Sequence, residues 1–184
     1  EEDGWQLENV PEEVKTPELC LRALETEAGF GHGFHRRLVQ YIPFAEVCMK
    51  VLKECRENNP EELYWIATAI RPEVMNGEIA DFLLPLDGRC IGILPVHLQT
   101  PERVKVAVET SGMSAIEKDG VLKNLLTPEV YVKCAAHSQE SFTMIPWAER
   151  SPEVCLMAKT LYPDLLEKQP ELVPESCLLY TSPS

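Results

Sequence analysis

Few residues in this chain stand in an arrangement that chemistry could use. No Cys-x-x-Cys pair occurs, so thioredoxin-like exchange and zinc ribbons lack support. No His-Glu-x-x-His pattern occurs either, and neither a metal nor a cofactor is expected. Positive charge is scarce, with 17 Lys and Arg against 30 Asp and Glu and a net charge of −13. A field of that sign repels phosphate backbones, so nucleic acid is not an expected partner. No apolar run approaches the ~18 residues of a membrane-spanning helix, so no membrane is expected either. The opening Glu1-Glu2-Asp3-Gly4 lacks an initiator Met and any basic, apolar targeting stretch, which suggests an internal piece of a longer protein.

What remains is an acidic chain of 184 residues, 45% hydrophobic and 26% charged. At this size roughly two-thirds of the unfolded surface can be buried.

An internal repeat is present. Thr16-Pro-Glu-Leu-Cys-Leu-Arg-Ala returns as Thr100-Pro-Glu-Arg-Val-Lys-Val-Ala, Thr127-Pro-Glu-Val-Tyr-Val-Lys-Cys and Ser151-Pro-Glu-Val-Cys-Leu-Met-Ala. Degenerate copies start at Phe44 and Arg71, so the six starts are 16, 44, 71, 100, 127 and 151, about 27 residues apart. A hydrophobic-Pro pair precedes three of them at one fixed offset: Val10-Pro11, Leu94-Pro95 and Ile145-Pro146. Thr16, Thr100, Thr127 and Ser151 suit a helix N-cap, where a hydroxyl accepts an unpaired amide of the first turn. Pro17, Pro101, Pro128 and Pro152 suit the first helical position, where a missing N–H costs nothing. Glu18, Glu102, Glu129 and Glu153 then set negative charge against the positive end of the helix. Leu19, Ala23 and Leu24 follow at helical spacing in repeat one, and Val154, Leu156 and Ala158 in repeat six.

Each repeat has room for a second, shorter helix. Gly88–Pro95 and Ser138–Pro146 are the clearest, with a short strand as the alternative for the former. Repeat two carries a longer one from Asn59-Pro60-Glu61-Glu62, with Leu63, Trp65, Ile66 and Ile70 as its apolar content. In repeat three Gly77 is expected to interrupt the first helix.

The Thr-Pro-Glu-x-Cys-Leu-x-Ala opening and the closing hydrophobic-Pro pair resemble a short bacterial tandem repeat classed as a domain of unknown function. The likeness covers about residues 8–176 and is strongest in repeats one, four, five and six. It implies helical-repeat architecture and a bacterial source, and it supplies no catalytic residue. Cys177-Leu-Leu-Tyr-Thr-Ser-Pro-Ser184 instead resembles the in-frame translation of a transposon-type sequencing adapter, as in a metagenomic fragment. Val173-Pro174 also predicts a further Thr-Pro-Glu at position 179, where Leu179-Tyr180-Thr181 stands. Residues 177–184 are therefore expected to be a non-native tail, with the natural gene continuing past Ser176.

The cysteines invite a catalytic reading that the repeat opposes. Position five of the repeat holds Cys20, Cys48, Met75, Val104, Tyr131 and Cys155. A nucleophile would not tolerate valine, whereas a packing site accepts a small hydrophobe such as cysteine. Cys90 and Cys134 stand where the repeat usually has alanine; Cys55 is outside the frame. The segment Gly31–Arg37, with His32, His35, Arg36 and Arg37, could bind an anion but reads first as an exposed turn. His97 and His137 read as surface residues. Trp147 reads first as core packing between repeats, with an exposed partner anchor as the alternative.

The sequence thus predicts an all-α fold, a solenoid-like array of about six helix-turn-helix units forming one domain over residues 1–176. The predicted function is a protein–protein interaction scaffold without catalysis, acting on a protein partner through an acidic surface. Two other readings stay open. One is a cysteine-dependent enzyme or accessory domain pairing a Cys55 or Cys48 thiolate with His32 or His35; the other is a passive spacer. Uncapped terminal repeats would favour self-association. Unpaired thiols favour the cytoplasm, with delivery into another cell left open.

Overall fold

A computed structural model describes residues 4–27, 33–117, 120–172 and 174 of the chain. The described residues are helical, with no strand among them. They divide into two compact bodies, Glu1–Leu83 with Ile93–Leu98, and Leu84–Gly92 with Gln99–Ser184.

The first body contains α1 (Pro17–Glu27), α2 (Gly33–Val39), α3 (Ala45–Asn58), α4 (Leu63–Ala69) and α5 (Gly77–Leu83). Long helix packs on long helix, α1 on α3, and short on short, α2 on α4. Val47, Val51 and Leu52 line the buried side of α3, and Ile66 that of α4. Neither helix could bury this apolar stripe alone. The second body contains α6 (Pro101–Ser111), α7 (Pro128–His137), α8 (Gln139–Met144), α9 (Pro152–Leu161) and α10 (Pro163–Lys168). Here α7 packs against both α6 and α9, while the short α8 and α10 pack on α7 and α9 respectively.

The Thr-Pro-Glu mark stands at helix starts. Thr16, Thr100 and Ser151 accept the backbone N–H three residues on, from Leu19 at 3.2 Å, Arg103 at 3.3 Å and Val154 at 3.4 Å. Thr127 departs from the expectation: it occupies the N-cap of α7 with Pro128 after it, but its hydroxyl makes no capping bond. Replacing Thr100 with alanine should therefore cost about 1 kcal/mol, and replacing Thr127 less than half as much. Urea unfolding of the two variants checks the difference; equal losses would contradict it.

Repeat three differs from its predicted form. Pro72–Val74 make a turn, with the Val74 N–H donated to the Arg71 carbonyl at 3.0 Å, and α5 begins only at Gly77. The cause is Asn76, whose Oδ1 accepts the Ile79 N–H at 2.9 Å and caps the later start. A short polar side chain that bonds nearby amides competes with continuation and favours a cap. Gly77 thus opens a helix and does not interrupt one. Gly88–Ile93 forms a 3-10 helix, neither α-helix nor strand. A Cβ on Gly88 would overlap the Ala107 carbonyl and come within 2.8 Å of its carbon, so glycine permits this close approach to α6. In repeat two, Pro60–Glu62 is 3-10 and α4 follows as expected, but Trp65 points outward at 47% exposure.

The hydrophobic-Pro mark has a structural meaning that its spacing did not reveal. Pro11 and Pro146 stand just before short 3-10 turns, Glu12–Val14 and Trp147–Glu149, and Pro95 before Val96–Leu98. In each the proline carbonyl accepts the N–H three residues later: Val14 at 3.0 Å, Leu98 at 2.8 Å and Glu149 at 2.9 Å. Leu122 plays the same part before Lys123–Leu125, where no proline marks it.

Candidate functional site

Immediately before three of the four Thr/Ser-Pro-Glu marks stands a long polar side chain: Lys15, Gln99 and Arg150. All three are buried. Each reaches across its own helix pair to a backbone group of the connector on the far side. Lys15 Nζ donates to the Tyr41 carbonyl at 2.9 Å, and to Glu12 Oε1 at 3.1 Å. Gln99 Nε2 donates to the Gly120 carbonyl at 2.6 Å, while its Oε1 accepts the Leu122 N–H at 3.0 Å. Arg150 donates through Nη1 to the Leu172 carbonyl at 2.7 Å. The same guanidinium donates from Nε to the Ile145 carbonyl at 3.1 Å and from Nη2 to the Thr143 carbonyl at 2.9 Å. These clamps satisfy connector carbonyls that burial would otherwise leave costly. Sequence reasoning missed them, although Lys-Thr-Pro-Glu, Gln-Thr-Pro-Glu and Arg-Ser-Pro-Glu carried the signal. Repeat five has Leu126 in that place.

Arg150 also shapes the surface. Its guanidinium lies 5.1 Å from the Phe142 ring and 5.3 Å from the Trp147 ring. Phe142 is fully buried, whereas Trp147 is 54% exposed on its 3-10 turn. The expected core role for Trp147 is thereby corrected. The turn before α9 carries it outward, with the Arg150 guanidinium beneath its ring. Leu156, read as part of the apolar face of α9, is also 54% exposed. Pro146, Ala148 and Glu149 around Trp147 are exposed as well.

The framed cysteines lie in the interior. Position five is buried in every repeat, with Cys20, Cys48, Val104 and Cys155 at 0% exposure, Met75 at 5% and Tyr131 at 6%. Cys90 and Cys134, at the alanine-like places, are equally inaccessible. Burial pushes the Cys48, Cys90 and Cys134 thiols up to about 12. Cys55 donates to the Asn59 carbonyl at 3.1 Å; burial first, then Glu62 and Glu61, raise its thiol to about 11. A thiol protonated at neutral pH is a poor nucleophile, and both Cys55 and Cys48 are buried. His32 and the His35 side chain lie outside the described residues, as do residues 177–184. Cys20 and Cys155 should react with an alkylating reagent at least tenfold more slowly in the folded chain than in urea. Peptide-resolved mass spectrometry reads this; rapid stoichiometric labelling of the folded protein would contradict it.

The remaining marks behave as helix starts. Glu102 and Glu153 are held below the usual carboxylate range, first by their own backbone N–H and then by the Thr100 and Ser151 hydroxyls. Glu129 pairs with Lys105 at 2.9 Å, and Glu109 pairs with Lys133. His137 stands at the end of α7, exposed, with Nε2 at 3.2 Å from the Thr110 carbonyl. Among the described residues no group of three His, Cys, Asp or Glu side chains is placed to hold a metal ion. No described helix is long and apolar enough to cross a membrane. Compared with protein-family models, with curated proteins and with solved structures, the chain matches none.

Proposed function

We propose that this chain is a segment of a bacterial-type helical-repeat scaffold that binds another protein through its acidic surface and performs no catalysis itself. On this reading about six helix-turn-helix units stack in a solenoid-like array and the connectors present the binding surface. The observation that carries it is the division of labour within the repeat. The position that holds Cys, Met, Val or Tyr is buried in every copy, while the connector that carries Trp147 is exposed. Side chains with reactive potential serve packing, and an aromatic ring faces outward. That is how an interaction array distributes its residues. The reducing cytoplasm suits the six described cysteines, which are all free and buried.

Display of random protein fragments against the full chain tests the proposal, with hits remeasured using purified components. A fragment should bind at micromolar strength or tighter, weaken when exposed glutamates are reversed to lysine, and bind unchanged when Cys48 and Cys55 are replaced by alanine. Absence of any fragment that survives purification would reject the scaffold reading in favour of a spacer. Thiol-dependent turnover abolished by either alanine variant would restore the enzyme reading.

A further inference from the structure

The exposed ring of Trp147 is the most prominent apolar group on a stretch that is otherwise acidic. Between Ser138 and Cys155 the charged residues are Glu140, Glu149, Glu153 and Arg150. The three glutamates are exposed, while Arg150 is 8% exposed and bound to three carbonyls beneath the surface. The accessible charge of this stretch is therefore wholly negative.

The ring is also held in place. Trp147 is the first residue of a hydrogen-bonded 3-10 turn: Glu149 N–H donates to Pro146 at 2.9 Å, and Arg150 N–H donates to Trp147 at 3.2 Å. The Arg150 guanidinium lies against the ring from within. Ordered backbone and a cation beneath the ring lower the ordering cost that a partner would otherwise meet.

An aromatic face carries negative electrostatic potential, and a cation placed over it is attracted most strongly when the ring is indole. With one face of Trp147 on Arg150 and a carboxylate two residues along the same turn, the open side has the chemistry for a second cation. We propose that Trp147, with Glu149, is the docking anchor for a lysine or arginine side chain on a basic segment of a protein partner. The proposal rests on the scaffold reading and names the partner chemistry that one connector would select. Trp and Arg are also the side chains over-represented among interface anchors.

The test uses the full chain and a fluorescein-labelled Gly/Ser peptide containing spaced arginines, with its citrulline counterpart as neutral control, followed by anisotropy. The arginine peptide should bind and the citrulline peptide should not. Trp147→Ala should weaken binding roughly fivefold and Glu149→Gln about threefold, whereas Trp147→Phe should keep most of it. Glu57→Gln, which removes the same charge from an exposed site in the first body, should change little. Equal losses for Glu57→Gln and Glu149→Gln, or unchanged binding by Trp147→Ala with its helical circular dichroism intact, would mean bulk charge attraction and overturn the anchor. Failure of the folded wild-type chain to prefer arginine over citrulline would overturn it as well. In the display experiment, a partner whose affinity ignores Trp147→Ala would uphold the scaffold and overturn the anchor alone.

Discussion

Replacing Arg150 with methionine is expected to destabilise the chain by about 3 kcal/mol. Methionine fills much of the same space but donates nothing, so the carbonyls of Ile145, Thr143 and Leu172 lose the cation that they share. A hydrogen bond to a charged group contributes ~1.5–3 kcal/mol, and a buried acceptor left unpaired costs a similar amount. Water reaching some of the carbonyls offsets part of the sum, and the Phe142 and Trp147 rings lose the guanidinium between them as well. Arg150→Lys keeps the charge but not the planar fork, and should recover less than half of the loss. Urea unfolding gives the magnitude. Hydrogen exchange gives the place: residues 163–172 should exchange faster in Arg150→Met, because the Leu172 tie holds the end of that segment. A loss below about 1 kcal/mol would show that the clamp is ornamental.

A loss of similar size is expected for Gly112→Ala. Gly112 follows α6 with φ 56° and ψ −140°, a conformation that only glycine adopts without strain. Forcing a side chain into such a region costs ~1–3 kcal/mol. A Cβ would also overlap the Ser141 hydroxyl, which accepts the Met113 N–H at 3.1 Å and so ties the turn after α6 to α8. Strain and displaced hydroxyl together should bring the loss to about 3 kcal/mol. The two contributions can be separated. Ser141→Ala removes the obstructing atom and alone should cost about 1 kcal/mol. Added to Gly112→Ala it should cost less than the sum, because the closest overlap is gone and the backbone strain and the approach to the His137 ring remain. Strictly additive losses in thermal or urea unfolding would show that the overlap carries no energy.

The sequence by itself determined the helix starts and the buried repeat position, because both are local or periodic. A Thr or Ser, Pro, Glu triplet stands at a helix start wherever it occurs, since absent N–H and favourable charge, joined at Thr16, Thr100 and Ser151 by a capping hydroxyl, act within one turn. Interchange of Cys, Met, Val and Tyr at position five pointed to a packing site, and that position is buried in every copy. Even at this level a local competitor escaped notice, since Asn76 caps its own helix and turns the predicted start at Arg71 into a turn.

Tertiary structure alone decided the rest. Lys15, Gln99 and Arg150 are surface residues by type, and become buried because carbonyls 21 to 26 residues away need donors there. Trp147 and Leu156 read as core by type, and become exposed because no described element covers them. Hydrophobicity states what a side chain prefers; which preferences are met depends on contacts between segments far apart in the chain, and single-residue character does not encode those.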